Sequence, residues 1–298
     1  MNAAYLPRRE ARSRFLTLRG LTHHLLEWGQ AMPGQPPLVM LHGWMDVGAS
    51  FQFVVDALGA PRHVIAMDWR GFGQSEAGAV DAFWFPDYLG DLDALLDAVS
   101  PGAPVDLLGH SMGGNVVTSY AGIRPERIRR LVNLEGFGLP ETTADEAPDW
   151  LVRWLDELKQ PQTLKPYASV EDVAARLCKT NPRLPADKAA WLAAQWSRQT
   201  PQGFELLADA AHKRSNPVLY RRAEVLACWA RIAAPALWVE GAATPFASFW
   251  GERYPRADFE ARLAVIPDLR RVVLADAGHM LHHDQPEALA RELDAFLA

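Results

Sequence analysis

The feature of the sequence that most constrains the fold is the stretch 105–117, where a short apolar run ends in Gly109-His110-Ser111-Met112-Gly113 and a helix-compatible segment follows at once. Gly-x-Ser-x-Gly between a strand and a helix is typical of a sharp turn that exposes its serine. The turn strains the backbone of Ser111, and bulky side chains at Gly109 or Gly113 would collide with the flanking strand and helix. We therefore predict that Ser111 presents its hydroxyl above a sheet as a nucleophile; the alternative is an ordinary serine in a turn.

The pattern of apolar runs predicts the sheet itself. Eight runs predict eight strands, at 15–18, 21–28, 38–42, 63–67, 105–110, 128–134, 236–239 and 270–274. The first two flank a turn at Arg19-Gly20 and predict a hairpin. The run at 38–42 is apolar without alternation, as expected of a strand buried on both faces of a parallel sheet. Helix-compatible segments separate the later runs, as expected of βαβ units. The sequence therefore predicts an α/β fold with a mostly parallel sheet flanked by helices.

A long segment without a convincing strand interrupts this alternation between about residues 140 and 232. Its helical patterns lie at 150–159, 170–178, 186–198, 204–213 and 218–230, with prolines at the joints. We predict that this segment forms a helical lid over the carboxyl edge of the sheet. The chain then divides into an α/β core, residues 1–139 and 233–298, and a lid (cap) subdomain, residues 140–232.

Composition narrows the classes of partner and location. The net charge of −6 carries no basic block, so nucleic acid is not an expected partner. The arginines near the N-terminus are followed by no apolar run, so neither a secretory signal nor a membrane span is predicted, and a cytoplasmic location is expected. The sequence contains no cysteine–histidine cluster that would indicate a metal site, and no Gly-x-Gly-x-x-Gly motif that would indicate a dinucleotide cofactor. Neither a metal nor a cofactor is therefore predicted. The sequence makes no prediction of the oligomeric state.

Four motifs in order give the chain a family resemblance. They are His42-Gly43-Trp44, the stretch 68–75 (Asp-Trp-Arg-Gly-Phe-Gly-Gln-Ser), Gly109-His110-Ser111-Met112-Gly113-Gly114 and Gly278-His279-Met280, each after a predicted strand. Together they resemble the α/β-hydrolase-fold superfamily, in its branch with a serine nucleophile. The resemblance implies that His279 is the general base and that the N–H groups of Trp44 and Met112 form an oxyanion hole.

The acid that orients His279 is where the sequence departs from the common family pattern. Many members carry aspartate at one of the two positions that are Ala243 and Thr244 here. Two carboxylates offer substitutes. Glu135 comes at the end of the predicted strand 128–134, where some members of the family place their acid, and we favour it. Glu240 comes at the end of the predicted strand 236–239, after which many members place their acid, and it is the alternative. The third possibility is that His279 has no acid partner.

The predicted function is that of a cofactor-independent serine hydrolase acting on a small-molecule carboxylic ester or thioester with an apolar part, through an acyl-enzyme. Hydrolysis of a carbon–carbon bond or cofactor-free haloperoxidase chemistry would use the same residues. A receptor that binds a ligand without turnover and a lid-mediated interaction protein are the non-enzymatic alternatives. The substrate pocket is predicted to be lined by Trp44, His110, Phe137, Trp150 and Trp154.

Overall fold

The computed structural model describes residues 4–298, and a single large sheet lies at its centre. The strands are β1 (Arg12–Leu18), β2 (Leu21–Trp28), β3 (Leu38–Leu41), β4 (Val64–Met67), β5 (Val105–His110), β6 (Ile128–Leu134), β7 (Ser197–Thr200), β8 (Gly203–Leu206), β9 (Ala236–Gly241) and β10 (Leu269–Leu274). Eight of them form the sheet in the order β1-β2-β4-β3-β5-β6-β9-β10. β1 and β2 form the predicted hairpin, β2 runs antiparallel to β4, and the other neighbours are parallel. The predicted mostly parallel eight-stranded sheet is confirmed.

Helices cover both faces of this sheet. They are α1 (Gln52–Ala57), α2 (Phe85–Val99), α3 (Met112–Ile123), α4 (Ala147–Leu158), α5 (Val170–Thr180), α6 (Ala186–Trp196), α7 (Arg222–Trp229), α8 (Phe246–Trp250), α9 (Arg256–Leu263), α10 (Leu281–Asp284) and α11 (Pro286–Phe296). One apolar core lies against α2, α3 and α9, and a second lies against α1 and α11. All four residues of β3 and of β4 are buried. Burial of each Val, Leu, Ile or Met side chain stabilises the fold by about 1.5–3 kcal/mol. Because both faces of these strands are covered, they carry no polar alternation.

The segment 140–232 contains a strand pair that the sequence reading missed. β7 and β8 pair as an antiparallel hairpin separate from the main sheet. The predicted helix at 204–213 is therefore wrong: only Ala210–Lys213 is helical, as one short 3₁₀ turn. Gly203 explains the reversal, because its φ is +123° and a Cβ there would lie 2.3 Å from the Tyr167 carbonyl oxygen. The other predicted helices of the segment are present with bounds shifted by a few residues.

The same segment packs over the loops that follow β3 and β4. The ring of His212 is stacked between Phe72 and Phe83, with centroid separations of 3.7 and 3.6 Å. A small apolar core joins α5 and α6 to Phe53. The division of the chain into core and lid stays a prediction. Among residues 4–298, none of the helices combines the length and apolar character needed to cross a bilayer.

Candidate active site

The turn between β5 and α3 has the strained geometry that the motif predicts. Ser111 has φ +53° and ψ −115°. A Cβ at Gly109 would lie 2.3 Å from the Gly113 carbonyl oxygen, and one at Gly113 would lie 2.3 Å from the Leu41 carbonyl oxygen. Contacts this short with backbone atoms leave room for glycine only. The chain can therefore reverse at Ser111 because Gly109 and Gly113 have no side chains.

His279 reaches Ser111 from the loop that follows β10. Its Nε2 lies 3.1 Å from the Ser111 Oγ, within hydrogen-bond distance. The backbone of this loop is held at two points: the His110 Nε2 donates to the His279 carbonyl oxygen at 2.8 Å, and the Gly278 N–H donates to Asp284 at 2.8 Å. Burial holds the pKa of His110 well below its usual value, so that its neutral ring serves as a fixed donor.

Glu135 lies on the other side of the His279 ring. It follows β6 with φ +59°, a conformation that turns its side chain out of the strand direction. The Glu135 Oε2 lies 3.1 Å from the His279 Nδ1. Its other oxygen, Oε1, accepts hydrogen bonds from the Gly241 N–H at 2.6 Å and from the Thr244 hydroxyl at 2.8 Å. The Glu135 side chain is fully buried, so these groups rather than water surround the carboxylate.

The alternative acid, Glu240, is engaged elsewhere. It lies inside β9, where it remains in the regular pleat. Both of its oxygens accept hydrogen bonds from Arg256 at 2.7 Å, and Arg271 donates to one of them at 3.2 Å. Glu240 thus forms a charge network with the residues that begin α9 and line β10, and the structure brings Glu135 to His279 instead.

The two predicted oxyanion donors, Trp44 and Met112, lie next to residues at the turn: Met112 follows Ser111, and Trp44 follows Gly43, which is close to Ser111. Within residues 4–298, the backbone N–H groups of Trp44 and Met112 have no hydrogen-bond acceptor. Met112 begins α3, where the helix dipole adds to the attraction for an anion. Gly43 lets the other loop approach, because a Cβ there would lie 3.1 Å from the Ser111 Cβ. That these two N–H groups form an oxyanion hole stays a prediction.

His42 stabilises the loop that carries Trp44. Its Nε2 accepts the Trp69 N–H at 3.0 Å, and its Nδ1 donates to the Gly43 carbonyl oxygen at 2.7 Å. Burial lowers the pKa of His42, which keeps the ring in this neutral form. The Trp44 indole lies 52% exposed and donates to the His212 carbonyl oxygen at 3.2 Å, which links this loop to the segment 140–232.

The other predicted pocket residues are more dispersed. Phe137 is buried in an aromatic core with Trp238, Phe246 and Phe259. The Trp150 indole donates to the Asn216 carbonyl oxygen. Trp154 makes no ring contact or hydrogen bond with Ser111 or His279 among the described residues, and its role in a pocket stays a prediction.

Sequence reasoning missed one aromatic side chain at the site. The Phe249 ring, on α8, contacts the His279 ring edge-on at a centroid distance of 5.3 Å and is 45% exposed. Its position after β9 gave the only signal, since loops after parallel strands meet at the same edge of the sheet. Phe249 and Trp44 thus give the site an exposed apolar rim.

A group of buried ionisable side chains lies behind Ser111. Asp46, His110 and His282 each offer an atom within 4.8 Å of the others. Zinc holds nitrogen and oxygen ligands at about 2.0–2.2 Å, so two ligands of one ion lie at most about 4.2 Å apart. The Asp46 Oδ2 and the His282 Nε2 lie 3.8 Å apart, within that limit, and the absence of a metal stays a prediction from the sequence. Burial works to raise the pKa of Asp46, but the hydrogen bond to His282 and the neighbouring histidines outweigh it, and the pKa lies below its usual value.

Comparison with known proteins extends these observations to most of the chain. Residues 36–286 match the profile of the alpha/beta hydrolase fold family. The chain is 28% identical over 267 residues to esterase YbfF of Escherichia coli (strain K12), covering 88% of this chain and 92% of the esterase. It is 23% identical over 272 residues to a serine hydrolase-like protein of Danio rerio, covering 88% of this chain and 81% of that protein. Among solved structures, the thioesterase domain from the curacin biosynthetic pathway is similar with a TM-score of 0.82 and 25% identity, covering 95% of this chain and 99% of the domain.

Proposed function

Because the chain belongs to the α/β-hydrolase-fold family, we propose that this hydrolase is a cofactor-independent serine enzyme that cleaves a carboxylic ester or thioester with an apolar acyl or alcohol part. The observation that carries the proposal is the unbroken series of contacts from Ser111 Oγ through both ring nitrogens of His279 to the Glu135 carboxylate, at 3.1 Å each. Nucleophile, base and orienting acid at such distances are the arrangement that acyl transfer requires.

In the proposed reaction, Ser111 attacks the carbonyl carbon of the substrate while His279 Nε2 takes the proton of its hydroxyl. Glu135 accepts a hydrogen bond from the His279 Nδ1–H, which fixes the tautomer and stabilises the imidazolium that forms. His279 then gives its proton to the departing alcohol or thiol. A water molecule, activated by the same imidazole, attacks the acyl-enzyme and releases the acid.

We propose that the N–H groups of Trp44 and Met112 stabilise the negative charge that develops on the substrate oxygen. Donors that are fixed before the reaction stabilise this charge without reorganising, and each contributes about 3 kcal/mol in comparable sites. The side chain of residue 44 is not needed for this role, since only its N–H takes part.

The preference for an apolar substrate is supported by the rim of the site. Trp44 is 52% exposed, and Phe249, whose ring contacts His279, is 45% exposed. We further propose that the segment 140–232 acts as the lid, because its His212 carbonyl oxygen is bound by the Trp44 indole. An apolar acyl chain would gain about 25 cal/mol for each Å² that it buries against such a rim.

A panel of esters with graded acyl length tests the proposal. Wild-type protein should hydrolyse them, with kcat/KM rising with acyl length, and Ser111→Ala should lose turnover without a change in melting temperature. Retained turnover in Ser111→Ala would remove Ser111 as the nucleophile. Saturable ligand binding with no turnover of any ester would instead favour the receptor alternative, which lacks the hydrolytic step.

A further inference from the structure

The loop after β9 does not supply the proposed acid itself. It supplies Thr244, whose side chain binds the acid, Glu135. Thr244 donates its hydroxyl to the Glu135 Oε1 at 2.8 Å, and the Gly241 N–H donates to the same oxygen at 2.6 Å. Only Oε2 of Glu135 is left to meet the His279 Nδ1. We infer that Thr244 is a positioning residue that holds the Glu135 carboxylate in the orientation His279 requires. The inference rests on the function proposed above.

A glutamate in this position needs such a constraint. Three rotatable bonds separate its carboxylate from its backbone, and the final one is broad and poorly fixed by rotamer preference. The Glu135 side chain is fully buried, so water cannot replace a lost donor. Two donors on one oxygen fix the plane of the carboxylate and so direct the other oxygen at the imidazole. A donor to the anion also balances part of its desolvation.

Thr244 is itself held firmly enough to perform this role. Its N–H donates to the Gly241 carbonyl oxygen at 3.1 Å, and its carbonyl oxygen accepts the Phe246 N–H at 2.8 Å. The preceding residue, Ala243, donates to the Ala277 carbonyl oxygen at 2.9 Å, which ties this loop to the loop that carries His279. Because Thr244 is branched at Cβ, few rotamers are open to its hydroxyl.

A double-mutant cycle tests the inference. Thr244→Val keeps the size of the side chain and removes the donor; Thr244→Ser keeps the donor and removes the methyl group. Each is made in the wild-type chain and in Glu135→Ala. The readouts are kcat and KM with the best ester of the panel, and the rate constant for labelling by an alkyl fluorophosphonate, which stays measurable when turnover is slow.

We expect Thr244→Val to lower kcat and the labelling rate about tenfold with KM unchanged, because a hydrogen bond to a charged group is lost. Thr244→Ser should remain within about threefold of wild type on the same scale. In Glu135→Ala, Thr244→Val should cause no further loss, since Thr244 acts only through that carboxylate. If Thr244→Val is unfolded by circular dichroism, Thr244→Ala takes its place in the cycle.

Three outcomes would overturn the inference. An equal loss from Thr244→Val in both backgrounds would make Thr244 a general support of the loop. A Thr244→Ser variant as slow as Thr244→Val would assign the effect to packing of the methyl group. A Thr244→Val enzyme as fast as wild type would remove the role altogether. Failure of the proposed function is seen separately, since wild-type protein would then turn over no ester of the panel and take no fluorophosphonate label; full activity in Glu135→Ala would remove the acid assignment alone.

Discussion

Replacement of Glu135 by glutamine tests the assignment of the acid without changing the shape of the site. The Gly241 N–H and the Thr244 hydroxyl both donate to Oε1, so the amide oxygen of the variant will occupy that position and its NH₂ group will face His279. An NH₂ donor there requires a lone pair on Nδ1, which leaves the proton on Nε2. His279 in that tautomer cannot accept the proton of Ser111.

The size of the effect follows from the distance between the two groups. At 3.1 Å and an effective dielectric constant of about 20, the attraction between the carboxylate and the imidazolium is about 5 kcal/mol. Loss of this attraction corresponds to a decrease in kcat of about 10³- to 10⁴-fold. We expect KM and the melting temperature to change little, because both side-chain oxygens of Glu135 face protein groups in a buried position and the hydrogen bonds to Oε1 are kept. Steady-state hydrolysis of the best ester measures the decrease.

Glu240→Gln is the matched control. It removes the same charge from a neighbouring strand, where the carboxylate binds Arg256 and Arg271. We expect it to lower the melting temperature, because the buried carboxylate loses its charge pairing with the arginines. We expect kcat to stay within about twofold of wild type, because within residues 4–298 the Glu240 side chain makes no hydrogen bond to Glu135 or His279. A Glu135→Gln enzyme within tenfold of wild type, or a loss in Glu240→Gln of similar size, would refute the assignment.

Two further expectations concern stability. Gly113→Ala places a Cβ 2.3 Å from the Leu41 carbonyl oxygen and should lower the free energy of unfolding by about 3 kcal/mol; Gly90→Ala, whose Cβ meets only the movable side chain of Arg19, should not. Equal urea midpoints for the two variants would contradict the steric argument. Burial lowers the pKa of His212 to about 3, so as the pH falls below about 6.5 the unfolded chain binds a proton that the folded chain does not, and stability is lost. When the pH is lowered from 7.5 to 4.5, the free energy of unfolding of wild type should fall on the order of 2 kcal/mol more than that of His212→Gln, as measured by urea unfolding. Parallel pH profiles of the two proteins would contradict this.

Much of the fold follows from local pattern in the sequence. The strands β3 and β4 were predictable because each is uniformly apolar and buried, and the turn at Ser111 because glycine is the only residue that fits at 109 and 113. The hairpin of β7 and β8 was not, since residues 204–206 read equally well as the start of an amphipathic helix. What decides between them is pairing with Ser197–Thr200 and the close approach of Gly203 to Tyr167, which are contacts across the chain.

The choice between Glu135 and Glu240 as the acid partner of His279 shows a different limit of sequence reasoning. Glu135 and Glu240 follow paired residues of adjacent parallel strands, since Leu134 is opposite Val239. Their positions along the strands therefore do not separate them. The structure does so through backbone conformation: Glu135 has left the pleat with a positive φ, whereas Glu240 remains in it and meets arginines from the next elements. A positive φ at a glutamate has no signature in the sequence.

The most direct test of the central claim, that Ser111 is the activated nucleophile, is the site and stoichiometry of labelling by an alkyl fluorophosphonate, read by mass spectrometry of the intact and digested protein. We expect one label per chain, on Ser111, absent from Ser111→Ala and at least about 10³-fold slower in His279→Ala, where the base is missing. Folded protein that hydrolyses esters while its label is absent, or lies on another residue, would contradict the account.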